Sequence, residues 1–198
     1  MMIELYNYFI DNIYQFLGVC FSIVYVIFSI RQNILCWPAL IIAAVFNIFA
    51  YHLIDLSLQV VMQIFFITTA LYGWYKWTQP KKATELKISQ WSAKKHIMWI
   101  FMGIIFTYTT SLILKQLSTN AILYSNYPFL DSLMFTFNII PMYMTGRKVL
   151  ESWLYFIVID IISGIFYITT GEFFFAFLFF CYIGFACSGY ITWKKEMK

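Results

Sequence analysis

Charged residues are scarce in this 198-residue chain. Asp, Glu, Lys and Arg together make up only 11% of it, whereas 62% of the residues are hydrophobic and 22% are aromatic. A soluble domain has about a quarter of its residues charged, so much of this surface is expected to face lipid rather than water. The formal net charge of +4 does not indicate a nucleic-acid partner, because the cations stand in short clusters between apolar runs, where membrane topology alone predicts them.

Motifs that would indicate catalysis or a bound cofactor are also missing. The sequence contains no HExxH, no GxSxG and no phosphate-binding GxxxxGK, so we predict neither an enzyme nor an ATP-driven pump, and no cofactor. A retinal protein needs a lysine within its last helix, and the apolar run 173–191 has none. The cysteines lie in apolar runs without CxxC spacing, so neither a disulfide framework nor a metal site is expected: Cys20, Cys36, Cys181 and Cys187.

What the chain does have is a series of apolar runs long enough to cross a bilayer, for which a helix needs about 20 residues. They are residues 14–30, 34–51, 56–75, 96–114, 129–145, 149–168 and 173–191. The sequence therefore predicts an all-α integral membrane protein with seven transmembrane helices.

The distribution of charge predicts the orientation of these spans. With seven spans, most cations fall on one side, at Arg31, residues 76–95, Arg147, Lys148 and residues 194–198. The other side receives Glu4, Asp11, His52, Asp55, Glu172 and a single lysine, Lys115. Because excess Lys and Arg marks the cytoplasmic side, the N-terminus is predicted outside and the C-terminus inside. The acidic N-terminus also lacks the basic segment of a cleavable signal peptide.

An internal repeat appears at an offset of 116 residues, without gaps. It pairs Arg31 with Arg147, Trp37 with Trp153, Tyr51 with Tyr167, Ala70 with Ala186, Gly73 with Gly189 and Trp77 with Trp193. We interpret this as two three-helix repeats, residues 1–95 (with the basic loop) and 115–198, joined by a linking helix at 96–114. A single linking crossing lets both triplets enter the membrane in the same direction, giving a 3+1+3 arrangement of parallel repeats as found in transporters.

One carboxylate lies in the middle of a predicted span. Asp160 follows Phe156 by four residues and Trp153 by seven, so all three share one helical face. An ionisable group in hydrocarbon is costly and is a candidate functional residue by default. Two aromatic surfaces next to a carboxylate suit a flat, cationic heteroaromatic ligand, although Asp160 could instead be protonated or hydrogen-bonded to a neighbouring helix.

Further polar side chains are expected to face the bundle interior, because amides in lipid must be satisfied there. Gln59 and Gln63 lie one turn apart in the third span, which continues to Trp74. These three and Asn138 complete the predicted substrate site. The two glutamines could instead bridge helices, with Gln63 the better candidate for ligand contact, and linking helices is the favoured role of Asn47 and Asn138.

Residues near the ends of the spans are given structural roles. Asp131, shortly after Pro128, is interpreted as a helix cap. Interfacial positions are predicted for Trp91, Trp99, Tyr143, His52 and His96.

Several of these segments resemble the PnuC-type vitamin transporters. Residues 63–77, from Gln63 to Trp77, are similar to the end of that family's third helix. Residues 128–132 and 147–153 resemble its fifth helix and the entry to its sixth. The family's WxxWxxxN/D signature reads here Trp153, Phe156 and Asp160, with Phe in place of the second Trp. The likeness runs from about Arg31 to Lys195, with a weaker stretch between residues 81 and 127.

The resemblance implies a 3+1+3 helix fold related in arrangement to the SWEET sugar transporters. Members carry nicotinamide riboside, thiamine or riboflavin by facilitated diffusion, and a cytoplasmic kinase then phosphorylates and traps the vitamin. Carried over to this chain, Trp153 and Asp160 take the aromatic and polar places of the signature, and Gln63 takes the place of the third-helix glutamine. Asp160 suits a cationic vitamin, which favours nicotinamide riboside or thiamine over riboflavin.

These observations leave two classes of function open. The first is a vitamin transporter of the bacterial inner membrane, for nicotinamide riboside or alternatively thiamine, either as a uniporter linked to a cytoplasmic kinase or coupled to protons through Asp160. The second is a seven-helix membrane sensor, which would leave the repeat unexplained. Small residues at Gly184, Ala186 and Ser188 are compatible with packing inside one chain or in a homo-oligomer.

Overall fold

The computed structural model describes residues 12–78, 86–119 and 125–197, and within these ranges it is helical without any β-strand. Its seven helices are α1 (Ile13–Ile30), α2 (Cys36–Leu53), α3 (Ser57–Thr78), α4 (Ala93–Thr119), α5 (Pro128–Gly146), α6 (Ser152–Thr170) and α7 (Phe173–Glu196). Each apolar run of the sequence corresponds to one helix, and α4 extends beyond its predicted span at both ends.

Six of these helices, all except α5, are long and apolar enough to cross a membrane. The exception has a clear cause in its sequence. Helix α5 carries Asp131, Thr136 and Asn138, with Pro141 in its interior, and more than half of its residues are buried inside the protein. A helix that is surrounded by other helices does not need a fully apolar surface, because its polar groups find protein partners rather than lipid.

The helices form a closed ring in which each packs against the next in the order α1, α2, α3, α5, α6, α7 and back to α1. Helix α4 lies outside this ring and packs mainly against α5. The two halves of the ring correspond: α1 packs on α2 as α5 packs on α6, and α2 packs on α3 as α6 packs on α7. The halves meet at two places, α3 against α5 and α7 against α1, which we term the seams.

The 116-residue offset of the sequence recurs in the backbone of the turns. After α1, Asn33 N donates to Phe28 O at 2.9 Å, and after α5, Val149 N donates to Met144 O at the same distance. The residue before each donor, Gln32 or Lys148, has a φ of 50°, which is unusual for residues other than glycine.

The next pair of turns agrees as well. Leu56 N donates to Tyr51 O at 3.0 Å, and Glu172 N donates to Tyr167 O at 2.9 Å. The left-handed residues before these donors are Asp55 and Gly171, which are again 116 positions apart.

Packing against two glycines follows the same offset. In the first half, Gly73 lies so close to the Trp37 ring that an added Cβ would come within 2.3 Å of it, and Trp37 meets Trp77 edge-on at 5.0 Å. In the second half, a Cβ on Gly189 would lie 2.6 Å from the Trp153 ring, and Trp153 meets Trp193 edge-on at 5.3 Å. Glycine at these two sites therefore allows a tryptophan to pack directly on the neighbouring helix.

Replacing Gly189 with alanine is expected to lower stability by about 1–3 kcal/mol, because the new methyl group overpacks the Trp153 ring. Gly184→Ala is the matched control on the same helix, since nothing lies within 4 Å of its added Cβ. Thermal unfolding of the two variants in detergent measures the difference. Equal midpoints would show that the Trp153 contact does not constrain this helix pair.

Candidate functional site

The ring encloses a central cavity lined by side chains from all six of its helices and by none from α4. Among the described residues that line it there is no Lys, Arg or His. The lining residues are Ser22, Tyr25, Val26, Leu40, Asn47, Tyr51, Met62, Gln63, Phe66, Asn138, Met142, Trp153, Phe156, Asp160, Leu178, Phe179, Tyr182 and Ala186.

Many of the lining positions are related by the 116-residue offset, so the cavity lies between corresponding faces of the two halves. The pairs are Ser22 with Asn138, Val26 with Met142, Leu40 with Phe156, Met62 with Leu178, Gln63 with Phe179 and Phe66 with Tyr182. The positions match but their chemistry does not. An amide in one half corresponds to a serine or a phenylalanine in the other. The cavity therefore has a symmetric frame and an asymmetric polar lining.

Trp153, Phe156 and Asp160 lie together on the α6 wall of this cavity, as their spacing predicts. The Trp153 and Phe156 rings are 6.2 Å apart and tilted by 55°. Asp160 is only 1% exposed, and its Oδ1 has no hydrogen-bond partner within the described part of the chain. A buried carboxylate oxygen without a hydrogen-bond partner is costly, which makes Asp160 the best candidate in the cavity for contact with a ligand.

Two amides from other helices face the same cavity. Gln63 of α3 is 2% exposed, and its Oε1 has no hydrogen-bond partner within the described residues. Asn138 of α5 donates from Nδ2 to Met134 O, one turn earlier, at 2.8 Å. Five of the seven predicted site residues are thus brought together: Trp153, Phe156, Asp160, Gln63 and Asn138.

Gln59 and Trp74 do not line the cavity. Gln59 is buried, but it lies beside Asp131 of α5 rather than in the central space. Trp74 is 39% exposed near the end of α3, where the preceding residue, Gly73, makes the contact with Trp37. Gln59 and Trp74 are therefore on the same helix as Gln63 without being part of the same site.

Asp131 is buried at the seam between α3 and α5. Its Oδ2 accepts a hydrogen bond from Ser125 Oγ at 2.6 Å. The N-cap residue of α5 is Tyr127, and no side chain caps the helix. The predicted capping role of Asp131 is therefore wrong, because its carboxylate turns towards Ser125 and Gln59 instead of the first backbone amides.

The sequence analysis did not single out two polar side chains of the cavity, Ser22 and Tyr182. The offset offered a signal for Ser22, which is the repeat partner of Asn138. Tyr182 replaces the phenylalanine found at the equivalent position of the first half, and it lies near Ser22 and Asp160. Asn47, expected to link helices, lines the cavity and also packs against Gly18 of α1.

Aromatic residues predicted at the interface join α4 to the end of α5. Trp91 stacks on Trp99 at 5.6 Å, and Trp99 stacks on Tyr143 at 5.8 Å. Lys95 lies 4.1 Å over the Trp91 ring, and Arg147 donates to Tyr143 Oη at 2.8 Å. Such stacks with cations suit the boundary between membrane and water.

With the fold and the cavity described, comparison with known proteins identifies the family. A family model described as "Nicotinamide mononucleotide transporter" matches residues 12–195. The chain belongs to this family. The resemblance to PnuC-type transporters predicted from the sequence is confirmed, and the family is one of multi-pass membrane transporters rather than enzymes.

Individual relatives agree with this family. The nicotinamide riboside transporters PnuC of Escherichia coli (strain K12) and Shigella flexneri are each 27% identical over 139 residues, covering 60% of this chain. The alignment covers 58% of the length of these curated relatives. A crystal structure of the vitamin B3 transporter PnuC matches with a TM-score of 0.79 at 15% identity, covering 98% of this chain and 86% of that one. At this identity the structural likeness establishes the fold alone.

Replacing Asp160 with asparagine is expected to leave the unfolding temperature of the ligand-free protein unchanged or to raise it, because asparagine keeps the shape of the side chain and removes the cost of burying an ionisable group. The control is Asp131→Asn, which weakens an existing hydrogen bond and should lower stability by about 1 kcal/mol. Thermal unfolding without ligand compares the two. A clear loss of stability in Asp160→Asn would mean that this carboxylate holds helices together.

Proposed function

We propose that this protein transports nicotinamide riboside across the bacterial cytoplasmic membrane by facilitated diffusion, with thiamine as the alternative substrate. The observation that carries the proposal is the buried carboxylate of Asp160, whose Oδ1 has no hydrogen-bond partner among the described residues, beside the Trp153 and Phe156 rings in a cavity whose described lining has no cationic side chain. Both vitamins contain a flat aromatic ring with a positive charge, which is the chemistry that stacking aromatic rings and a carboxylate recognise.

The lining of the cavity favours a riboside over a mononucleotide, although the family description names the mononucleotide. A phosphate group is held in proteins by Arg, Lys or a helix N-terminus. No Arg, Lys or His is found among the described lining residues, and Asp160 would repel the phosphate. The names of the curated relatives, which refer to the riboside, support the same choice.

The proposed architecture is that of two parallel three-helix repeats joined by α4, with seven membrane crossings. Three observations support it: the closed ring with matching halves, the turns that recur at an offset of 116 residues, and the position of α4 outside the ring. Helix α5 crosses as the first helix of the second repeat despite its polar residues, because it is sheltered by its neighbours. The N-terminus lies outside and the C-terminus inside, following the basic clusters.

Alternating access would then require the two seams to open in turn at either face. At the end predicted to face outwards, Gln15 Nε2 donates to Glu172 Oε2 at 2.7 Å across the seam of α1 and α7. Asp131, which stands 116 residues after Gln15, lies beside Gln59 at the other seam. At the opposite end, Trp193 Nε1 donates to Ile30 O at 3.2 Å. Gln32 Nε2 also donates to Glu196 Oε2 at this end, so opening the seam of α1 and α7 at either face would break hydrogen bonds.

Net uptake by such a uniporter depends on removal of the free vitamin inside the cell. The sequence has no nucleotide-binding motif, so a separate cytoplasmic kinase that phosphorylates the substrate would supply the driving force. Coupling to protons through Asp160 is the competing scheme. It predicts that an uncoupler stops uptake into liposomes that contain no kinase, whereas a uniporter would be unaffected there.

Binding of nicotinamide riboside, thiamine and riboflavin to the purified protein, followed by tryptophan-fluorescence quenching, tests the proposal. We expect micromolar or tighter binding of one cationic vitamin, and a loss of at least about tenfold in Trp153→Ala and Asp160→Asn, since each removes a direct ligand contact. Trp74→Ala is the control, because Trp74 lies outside the cavity. If folded protein bound none of the three vitamins, the substrate assignment would be wrong.

Accessibility of single cysteines tests the proposed orientation in a background lacking the four native ones. His52→Cys, at the exposed end of α2, should react with a membrane-impermeant maleimide in intact cells. Lys194→Cys, at the exposed end of α7, should react only after the cells are lysed. The reverse pattern would invert the orientation and leave the ring architecture unaffected.

A further inference from the structure

The two seams of the ring have different contacts at the end that is predicted to face the cytoplasm. The 116-residue offset allows the same positions to be compared at both seams. At the α3–α5 seam, Tyr72 stacks on Tyr143 with ring centroids 6.3 Å apart. The equivalent positions at the α1–α7 seam hold Ser188 and Ile27, so this aromatic pair has no counterpart there.

Further contacts hold α3 and α5 together at the same end. A Cβ added to Gly146 would lie 3.9 Å from the Cα atom of Gly73, so the two helices approach each other closely. The equivalent of Gly146 in α1 is Ile30, which carries a large side chain. Lys148 Nζ also lies 4.8 Å over the Trp77 ring, a cation–π contact between the turn after α5 and the end of α3.

The connection between α3 and α4 returns to this seam and adds backbone hydrogen bonds. Ser89 N donates to Lys148 O, and Leu150 N donates to Ser89 O, both at 2.9 Å. Trp91 N donates to Glu151 Oε2 at 3.2 Å. The segment before α4 is thus fastened to the turn between α5 and α6, and α4 itself packs on α5.

The contacts at the cytoplasmic end of the α1–α7 seam are hydrogen bonds of side chains. Gln32 Nε2 donates to Glu196 Oε2 at the exposed surface, and Trp193 Nε1 donates to Ile30 O at 3.2 Å. Helices α1 and α7 are the first and last of the ring, so no loop joins one directly to the other.

This difference in chemistry decides which seam parts more easily. Polar groups at an exposed end lose little when they separate, because water replaces the lost partner. Stacked aromatic rings and closely packed helices expose apolar surface to water when they separate, which is unfavourable. The α1–α7 seam is therefore the weaker of the two at this end.

We propose that the cavity opens to the cytoplasm by parting α1 from α7, while the α3–α5 seam stays closed at this end and acts as the hinge. The inference rests on the proposed function and orientation. The hydrogen bond between Gln32 and Glu196 is then a latch. Trp193 moves with α7 and keeps its edge-on contact with Trp153 of the same half.

Spin labels at repeat-equivalent positions compare the two seams. Arg31→Cys with Lys194→Cys reports on the α1–α7 seam, and Arg147→Cys with Thr78→Cys reports on the α3–α5 seam. All four residues are exposed, and the background lacks the four native cysteines. Double electron–electron resonance on the full chain in liposomes measures the distances. We expect a short and a longer distance for the first pair and a single distance for the second.

Two alanine variants at equivalent turn positions test the latch. Gln32→Ala should raise the ratio of the longer to the shorter distance at the α1–α7 seam by about twofold to tenfold, as expected for the loss of one hydrogen bond. Lys148→Ala is the matched control, since Lys148 occupies the equivalent position with the same φ of 50°, and it should leave that ratio unchanged.

The inference is wrong if the label pair at the α3–α5 seam shows a longer distance, alone or together with the other pair. It is also wrong if the α1–α7 pair keeps a single distance even in Gln32→Ala. If the distances behave as expected but folded protein binds no vitamin, the hinge stands and the substrate assignment fails. If the protein binds nicotinamide riboside and the α3–α5 seam opens, the proposed function stands and the hinge is wrong.

Discussion

Inside a bilayer, a polar side chain must either bond to another part of the protein or face an internal cavity, because lipid offers no hydrogen bonds. The arrangement of this protein follows from that constraint. Six helices close into a ring, so that amides, hydroxyls and one carboxylate point inwards while the outer surface stays apolar. Helix α5, with a sequence too polar for an isolated span, is stable because it lies between α3, α4 and α6.

The two halves of the ring share backbone geometry and differ in side-chain chemistry. Equivalent turns place left-handed residues at positions 32 and 148 and at positions 55 and 171, and equivalent glycines seat Trp37 and Trp153. Within that common frame, Asp160 has no acidic counterpart, since residue 44 is an alanine. A frame of two equivalent halves suits a motion in which one half rocks against the other, whereas the asymmetric lining allows the cavity to hold a ligand in one orientation.

The helices and most of the candidate site could be predicted from the sequence, because apolar runs report membrane crossings directly and a buried carboxylate stands out among isoleucines. The failures have a common physical origin. Gln59 and Gln63 lie on one helical face, but only the latter reaches the cavity, because Asp131 on another helix meets the former. Asn47 packs against Gly18, which lies 29 positions earlier, and the Asp131 carboxylate, expected to cap α5, accepts a hydrogen bond from Ser125 instead. Such contacts between helices leave no periodic signal in a single chain.

The position of α4 has an evolutionary consequence. Its outward face consists of large apolar side chains, including Ile97, Phe101, Ile104 and Ile105, and it meets the ring chiefly along α5. Most residues of α4 need only to be hydrophobic. Each ring helix, in contrast, must pack against two neighbouring helices and also line the cavity. Mutations should therefore accumulate in α4 faster than elsewhere, and relatives with the same substrate can diverge most in this helix. It is also the segment in which a fluorescent label or affinity handle would disturb the ring and its cavity least.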